Sequence, residues 1–263
     1  MRVCVLMENT RSSPVYCAEH GLSLYLETGG HKVLFDAGQS GAFAENAQKM
    51  GVDLAAVDAA VLSHGHYDHG GGLRAFLAVN DHAPVYCSRY AFDEHRNAAG
   101  KDIGLDPALA ASPRLRYTGG CCRLAPGLTL YNVAARPGLF PIDPAGLTMR
   151  QGERLLPEDF RHEQYLLIRE GNRRILVSGC SHRGIQNLVD WFSPAVLIGG
   201  FHFMNLDPDG AGRARLDEAA LWLKSRETVY YTCHCTGLAQ YRYLKRTLGD
   251  SLQYLASGQT TVL

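Results

Sequence analysis

The segment SHGHYDHGGG, at positions 63–72, carries four side chains that can bind metal ions. His-x-His puts the imidazoles of His64 and His66 on one side of an extended segment, so that both can reach one ion. Asp68 and His69 follow at a turn and can reach a second ion close by. Imidazole nitrogens and carboxylate oxygens are ligands that Zn²⁺ takes, and iron and manganese accept them too. The spacing predicts four metal ligands, against the alternative of a solvated polar loop.

Three later segments place further polar residues where an apolar strand ends. They are GCSHRGI (179–185) with Cys180 and His182, GGFH (199–202) with His202, and HCTG (234–237) with His234. Side chains at the ends of neighbouring strands can face a common cleft. We therefore expect these residues to share a cleft with the histidine segment.

Short β-like runs alternate with helical patterns along the chain, which indicates layers of strands and helices. Strands are predicted at 2–7, 22–27, 32–38, 59–63, 83–87, 128–133, 164–170, 173–179, 195–200 and 228–234. Helices are predicted at 41–51, 71–79, 185–192, 214–226 and 237–248. The Gly- and Pro-containing range 88–127 is predicted to be a loop-rich insertion beside the cleft, within a single domain that spans 1–263.

The two halves of the chain resemble each other. LYLETGGHKVLF (24–35) can be laid over LLIREGNRRILV (166–177), and both patterns predict a β-hairpin. Each hairpin is followed by a turn of small residues, a helical stretch and a second apolar strand that ends in polar residues. Chance similarity between hairpins is the alternative, but the matched order favours two related halves that face one cleft.

The pattern H-x-H-x-D-H after an apolar strand resembles the signature of the metallo-β-lactamase superfamily. The upstream hairpin ending in LFDAG and the apparent repeat are also similar to that superfamily. The resemblance covers nearly the whole chain. It implies an α/β (α+β) fold, a four-layer αββα sandwich built from two related halves, with one or two metal ions at the sheet edges.

The combination SHGHYDHGGGL, GCSHRGI, IGGFH and HCTG resembles a subgroup of metal-dependent hydrolases that includes 7,8-dihydropterin-6-methyl-4-(β-D-ribofuranosyl)aminobenzene-5'-phosphate synthase. This resemblance implies two Zn²⁺ ions, with Mn²⁺ or iron as alternatives. One ion would be held by His64, His66 and His182, and the other by Asp68, His69 and His234. Cys180 stands where the superfamily usually has a bridging aspartate, so it is either a metal contact or a buried small residue.

The expected function is that of a metal-dependent hydrolase or transferase, and the subgroup resemblance implies a phosphorylated or pterin-like small molecule as its substrate. A metal-activated hydroxide or a metal-polarised leaving group would drive the reaction. Asp68 would orient the nucleophile, and His202 would contact the substrate or protonate the leaving group, unless it only makes a structural hydrogen bond. The alternatives are an iron-dependent sulfur oxygenase of the same fold and a non-catalytic metal or ligand sensor.

Several other side chains have predicted supporting roles. Arg183 and Thr236 are predicted to bind an anionic substrate, because Thr236 precedes a helix N-terminus with free N–H groups. Asp36 and Glu163 are predicted to brace the ligand loops. Cys233 and Cys235 flank His234 and are predicted to point away from it. The remaining histidines are predicted to be surface or packing residues: His20, His31, His82, His95 and His162.

The charge balance and the apolar runs of the chain limit the classes of partner that we expect. Lys+Arg and Asp+Glu number 26 each, which argues against a nucleic-acid or anionic-membrane surface. No apolar run reaches the roughly 18–20 residues of a membrane span, and the first residues make a poor signal peptide. We therefore expect a cytoplasmic protein that binds a small, anionic substrate. Homo-oligomers are compatible with the sequence.

Overall fold

A computed structural model describes residues 1–263 of the chain. The strands are β1 (Arg2–Met7), β2 (Ser23–Thr28), β3 (His31–Phe35), β4 (Ala59–Val61), β5 (Val85–Ser88), β6 (His95–Arg96), β7 (Leu115–Thr118), β8 (Cys121–Ala125), β9 (Leu128–Tyr131), β10 (Thr148–Gln151), β11 (Arg154–Pro157), β12 (Tyr165–Glu170), β13 (Arg173–Val177), β14 (Val196–Ile198), β15 (Val229–Thr232), β16 (Leu252–Tyr254) and β17 (Thr260–Val262). The helices are α1 (Ala42–Lys49), α2 (Tyr67–Gly70), α3 (Leu73–Val79), α4 (Ile185–Phe192), α5 (Arg213–Lys224) and α6 (Leu238–Leu248).

Two seven-stranded sheets dominate the fold, and their topologies match. One has the order β17-β1-β2-β3-β4-β5-β7, and the other, taken from its opposite end, β8-β9-β12-β13-β14-β15-β16. In both sheets the first three pairings are antiparallel and the last three are parallel. The aligned hairpins share their register, since Leu24 pairs with Phe35 as Leu166 pairs with Val177. The topology therefore confirms the two related halves.

The alternation of side chains between the two faces of each strand explains the four layers. In β1, Val3 and Val5 face the other sheet, where they join a core that includes Ile175 and Val177 of β13. Alternate strand residues point to the opposite face and pack under helices. In the first half this outer core includes residues of α1 and α3, and in the second half residues of α4, α5 and α6. The observed architecture is the predicted αββα sandwich.

The five predicted helices are present, with ends shifted by no more than two residues, and each predicted strand contains an observed one or overlaps it. The range 88–127, predicted to be loop-rich, contains β6, β7 and β8, and the last two extend the edges of the large sheets. A small third sheet has the order β11-β10-β6. No helix combines the length and the apolar character needed to cross a bilayer.

Candidate metal centre

The first set of candidate ligands joins the two halves of the molecule. His64 and His66 follow β4, and His182 follows β13. Their ligand atoms all lie within 4.8 Å of one another, and all three residues are buried. Nε2 of His64 and both ring nitrogens of His182 have no hydrogen-bond partner. Because buried polar atoms are nearly always paired, this convergence of unpaired nitrogens fits a metal ion.

The second set lies beside the first, with the rings of His64 and His69 only 4.1 Å apart between centroids. Nε2 of His69 is 3.2 Å from Nε2 of His234. Oδ2 of Asp68 is 3.3 Å from Nε2 of His234 and 3.9 Å from Nε2 of His69. Ligands with bonds of 2.0–2.2 Å around one tetrahedral ion are separated by about 3.3–3.6 Å. The predicted residues of this set are therefore brought together at separations that suit an ion.

Hydrogen bonds at Nδ1 fix which ring nitrogen His64, His69 and His234 present. Nδ1 of His69 donates to Oδ2 of Asp36 at 2.7 Å, and Nδ1 of His234 donates to Oδ1 of Asn9 at 2.8 Å. Nδ1 of His64 lies 2.8 Å from Oγ of Ser63, whose own proton goes to Asp36. Each Nε2 is thereby left with its lone pair, which is the form that binds a metal.

Glu163 braces the loop after β13. Its carboxylate accepts the backbone N–H groups of His182 at 2.9 Å and Arg183 at 3.1 Å, and the hydroxyl of Tyr165. Asp36 does the same in the first half, where it also accepts the N–H of Ser63 at 2.7 Å. Both carboxylates therefore make the bracing contacts that the sequence predicted.

Burial and neighbouring charges set the proton affinities in the metal-free protein. Burial holds the pKa of His64 and His182 well below the usual range and lowers that of His66 to about 3. Burial also raises the pKa of Asp68, but His69, His20 and His234 outweigh it, and the net pKa lies well below the usual range. These three imidazoles are therefore neutral near pH 7 and Asp68 is ionised, as metal binding requires. The pKa of His69 is instead raised, because Asp36 and Asp68 outweigh its burial.

The candidate ligands open into a cavity of ≈ 210 Å³. His66, Asp68, His182 and His234 contribute polar walls, and Tyr67, Ile103, Leu147 and Met204 contribute larger or apolar surfaces. Ile103 lies between β6 and β7, and Leu147 directly precedes β10. The larger depressions of the surface lie elsewhere and contain none of the candidate ligands.

His202 lines this cavity, and its ring lies 4.2 Å from that of His182 between centroids. Burial lowers the pKa of His202 to about 4, with Asp143 acting in the opposite direction. His202 is therefore neutral near pH 7 and offers a substrate a hydrogen bond rather than an acidic proton.

His20, predicted to be a surface or packing residue, also lines the cavity, and its Nε2 lies 3.1 Å from Oδ2 of Asp68.

Arg183 and Thr236, predicted to bind an anionic substrate, have other partners. The guanidinium of Arg183 donates to the backbone carbonyls of Asp159, Ala134 and Arg136, at 2.9–3.3 Å. Oγ1 of Thr236 accepts the N–H of Phe201 at 2.8 Å and also bonds Thr232. Both side chains are buried and neither lines the cavity, so the structure gives them roles in holding loops.

The cysteines correct one sequence prediction. Cys233 packs in the core between the sheets, as predicted. Cys235 was predicted to point away from His234, yet its sulfur lies within 4.8 Å of ligand atoms of His234 and Cys180. The strand alternation behind that prediction fails because residues His234–Thr236 form a 3-10 turn and His234 has a φ of 50°. Sulfur of Cys180 lies 3.2 Å from Nε2 of His69.

Sequence reasoning missed a buried polar cluster behind His66. His95 of β6 donates from Nδ1 to Oε2 of Glu158 at 2.7 Å, and its ring stacks on His162 at 4.1 Å. Nδ1 of His162 accepts the N–H of Gly65 at 2.8 Å. All of these side chains are buried, so His95 and His162 form a buried support against the histidine segment. A histidine in a polar segment gives no periodic signal, and their proximity arises only in the fold.

The family comparison covers most of the chain. Residues 18–228 match the model of the metallo-beta-lactamase superfamily. A solved structure described as Tm1679, a metal-dependent hydrolase of the beta-lactamase superfamily, is similar over 100% of this chain and 99% of its own, with a TM-score of 0.82 and 23% identity. That likeness supports the fold.

Two proteins of Methanocaldococcus jannaschii are similar in sequence. The uncharacterized protein MJ0448 is 26% identical over 245 residues, covering 89% of this chain and 90% of its own length. The 7,8-dihydropterin-6-methyl-4-(beta-D-ribofuranosyl)-aminobenzene-5'-phosphate synthase is 25% identical over 283 aligned positions, covering 94% of this chain and 91% of its own. Both similarities extend over nearly the full length.

Proposed function

The chain belongs to the metallo-β-lactamase superfamily, and we propose that it is a metal-dependent hydrolase or transferase acting on a phosphorylated small molecule. The observation that carries this proposal is the pair of adjacent ligand sets, members of which line one cavity. His64, His66 and His182 would hold one ion, and Asp68, His69 and His234 a second. Zn²⁺ fits both sets, since their ligand atoms are imidazole nitrogens and a carboxylate oxygen.

When bound, such ions supply a water of lowered pKa and positive charge beside the attacked atom. The residues of the chain contribute the rest. Asp68 is ionised and borders the cavity, so it can orient a nucleophile by accepting its hydrogen bond. His202, whose ring lies beside that of His182 and lines the cavity, can hydrogen-bond the leaving group. The burial of Asp68 strengthens its contacts.

A pterin-containing phosphate is the first substrate class to test. The support for it is the similarity to the dihydropterin-aminobenzene-phosphate synthase. Tyr67, Ile103 and Leu147 would provide surface for the flat ring of such a molecule. The phosphorylated end would face the ligand sets, where the positive charge of bound ions would attract it.

The test combines metal analysis with turnover. The protein, reconstituted with Zn²⁺ or Mn²⁺, is assayed against phosphomonoesters, phosphodiesters, lactones and dihydropterin diphosphates. We expect turnover of a phosphorylated compound that requires metal. His66→Ala should lose one ion and most of the turnover, because it removes a ligand of the first set. His82→Ala, a matched change at an exposed histidine, should retain both.

Three results would contradict the proposal. Full activity of the metal-free protein would remove the metal from the reaction. Oxygen uptake with bound iron, without turnover of phosphorylated compounds, would point to the oxygenase chemistry considered from the sequence. Tight ligand binding without turnover of any compound would point to a sensor.

A further inference from the structure

The imidazole of His66 belongs to two groups of side chains. Its ring lines the cavity, yet its Nε2 is buried and has no hydrogen-bond partner. Beside it lie His95, Glu158 and His162, which are buried and do not line the cavity. Ligand atoms of His66 and of these three side chains all lie within 4.8 Å of one another. Because buried polar atoms are nearly always paired, this group is the place to look for the partner of His66.

Hydrogen bonds determine which ring nitrogens of the group carry hydrogen, since a neutral imidazole carries one on a single nitrogen. Nδ1 of His162 accepts the N–H of Gly65 at 2.8 Å, so its hydrogen is on Nε2, which lies 3.6 Å from Oε1 of Glu158. Nδ1 of His95 donates to Oε2 of the same carboxylate at 2.7 Å. His95 therefore has its free lone pair on Nε2, an atom that is buried without a partner.

The same hydrogen bonds argue against a further metal ion within this group. A metal ion binds a ring nitrogen through its lone pair, and Nε2 of His162 carries hydrogen instead. Glu158 accepts from Nδ1 of His95, and the two nitrogens of one ring point in divergent directions, so this carboxylate and Nε2 of His95 cannot share an ion. The unpaired nitrogens therefore suit a chain of hydrogen bonds.

The backbone fixes His95 beside the histidine segment. The N–H of Tyr67 donates to the carbonyl of Ile103 at 2.9 Å, and the N–H of Ile103 donates to the carbonyl of His95 at 2.9 Å. A Cβ on Gly65 would lie 2.2 Å from the carbonyl oxygen of Ala91, so only glycine permits this approach. Both neighbours of His66 in the sequence are thus held against the segment that carries His95.

We propose that Nε2–H of His66 donates to Nε2 of His95, directly or through one water molecule, so that His66 presents Nδ1 to the first ion. Glu158 holds His95 in the tautomer that accepts, and His95 holds His66 in the tautomer that binds metal. His95 is thus a positioning residue that acts on the ion through a ligand. This inference rests on the metal-binding part of the proposed function.

The first test reads the tautomers in the wild type. The full-length protein, with ¹⁵N in its histidines, is loaded with Zn²⁺, and long-range ¹H–¹⁵N correlation spectra are recorded. A ring nitrogen that carries hydrogen, one with a free lone pair and one bound to metal differ in chemical shift. We expect hydrogen on Nε2 of His66 and on Nδ1 of His95. The signals are assigned by their loss in His66→Gln and His95→Gln.

The second test separates positioning from packing. His95→Gln keeps an acceptor for His66 and a donor for Glu158, whereas His95→Phe keeps a ring stacked on His162 and removes both nitrogens. We expect His95→Phe to lower the Zn²⁺ affinity of the folded protein about 10–100-fold, and His95→Gln to retain most of the affinity. A residue that only packs would give the opposite order. Competition with a chromophoric chelator measures both, and His82→Phe, at an exposed histidine, should match the wild type.

The outcomes separate this inference from the proposed function. Hydrogen on Nδ1 of His66 in the Zn²⁺-loaded wild type would overturn the inference, even if no variant folds. Equal affinities in His95→Phe and His95→Gln would also overturn it, as would a metal-bound shift for Nε2 of His95. In these cases the metal centre of the proposed function would stand. Failure of the wild type to bind Zn²⁺ would overturn both.

Discussion

The chemistry of the centre depends on single hydrogen bonds that select the free nitrogen of each histidine. Asp36 is the most important of these partners, since its carboxylate accepts His69 Nδ1 and both the N–H and the hydroxyl of Ser63. It has a φ of 61°, which places its side chain under the histidine segment. One residue after β3 thus orients a ligand of each set.

Asp36→Asn should weaken metal binding while leaving every ligand in place. An amide can present an N–H group where the carboxylate oxygen accepted one, so His69 loses its fixed tautomer. Changes of this kind typically cost about 10–100-fold in metal affinity. Competition with a chromophoric chelator measures the effect. Asp81→Asn, at a fully exposed aspartate, is the matched control, and equal affinities in the two variants would contradict the bracing role.

At the scale of elements, close backbone contacts set where the histidine segment lies. Gly72 precedes α3, and a Cβ there would lie 2.1 Å from the carbonyl oxygen of Ala37 and 2.5 Å from that of Ser40. Ala37 in turn donates its N–H to the carbonyl of His69 at 2.7 Å. The beginning of α3 is therefore packed directly against the loop that carries Asp36.

Gly72→Ala should destabilise the protein, and Gly41→Ala should not. Both glycines precede a helix with nearly the same backbone angles, φ −78° and −73°, so intrinsic strain is equal. At Gly41 the nearest atom to a Cβ is 3.4 Å away. Overpacking costs about 1–3 kcal/mol, whereas a compatible Gly→Ala change gains about 0.4–1 kcal/mol. Urea unfolding measures both, and similar midpoints would contradict the packing argument.

The strongly periodic elements could be predicted from the sequence, and the weakly patterned ones could not. Helix α4 matches its predicted range because its apolar residues face one core. Strands β10 and β11 were missed because they are short and mostly exposed, so they show no alternation of buried and exposed residues. The residues of the metal centre also divide into those that the sequence pattern predicts and those that it does not. Ligands within one motif were predictable, whereas the contacts of His95, Cys235 and Arg183 depend on segments distant in sequence.

At the scale of the whole molecule, the matched halves explain why the site is divided between them. Parallel strands β3 and β4 in one sheet and β13 and β14 in the other end at the same place, so their following loops meet. Nε2 of Gln164 donates to the carbonyl of Leu62 at 2.8 Å across this junction. Folding of both halves is thus required before the ligands converge, and the stability of the junction includes the cost of burying them.

The free-energy cost of burying the ligand side chains is reflected in the histidine pKa values. Burial lowers the pKa of His66 to about 3 and those of His202 and His234 to about 4, against about 6.5 in an unfolded chain. Between these values the unfolded chain binds protons that the folded protein does not. Burial also lowers the pKa of His69, but Asp36 and Asp68 outweigh it and the net pKa is raised. Glu163 also has a raised pKa, caused by burial.

The metal-free protein should therefore lose stability as the pH falls from about 6.5 towards about 4. Stability rises with pH wherever the unfolded state binds more protons, by up to about 1.4 kcal/mol per pH unit for each group. His66, His202 and His234 act in this sense in that window, and so do His64 and His182, whose pKa burial also lowers. The raised pKa of Glu163 offsets part of the effect, whereas the raised pKa of His69 acts above this window. Urea unfolding in the presence of a chelator at several pH values measures the slope. His202→Gln should reduce it by at most one group and His82→Ala should not change it. A free energy of unfolding that stays constant from pH 6.5 to 4.5 would show that these imidazoles are not held neutral by burial.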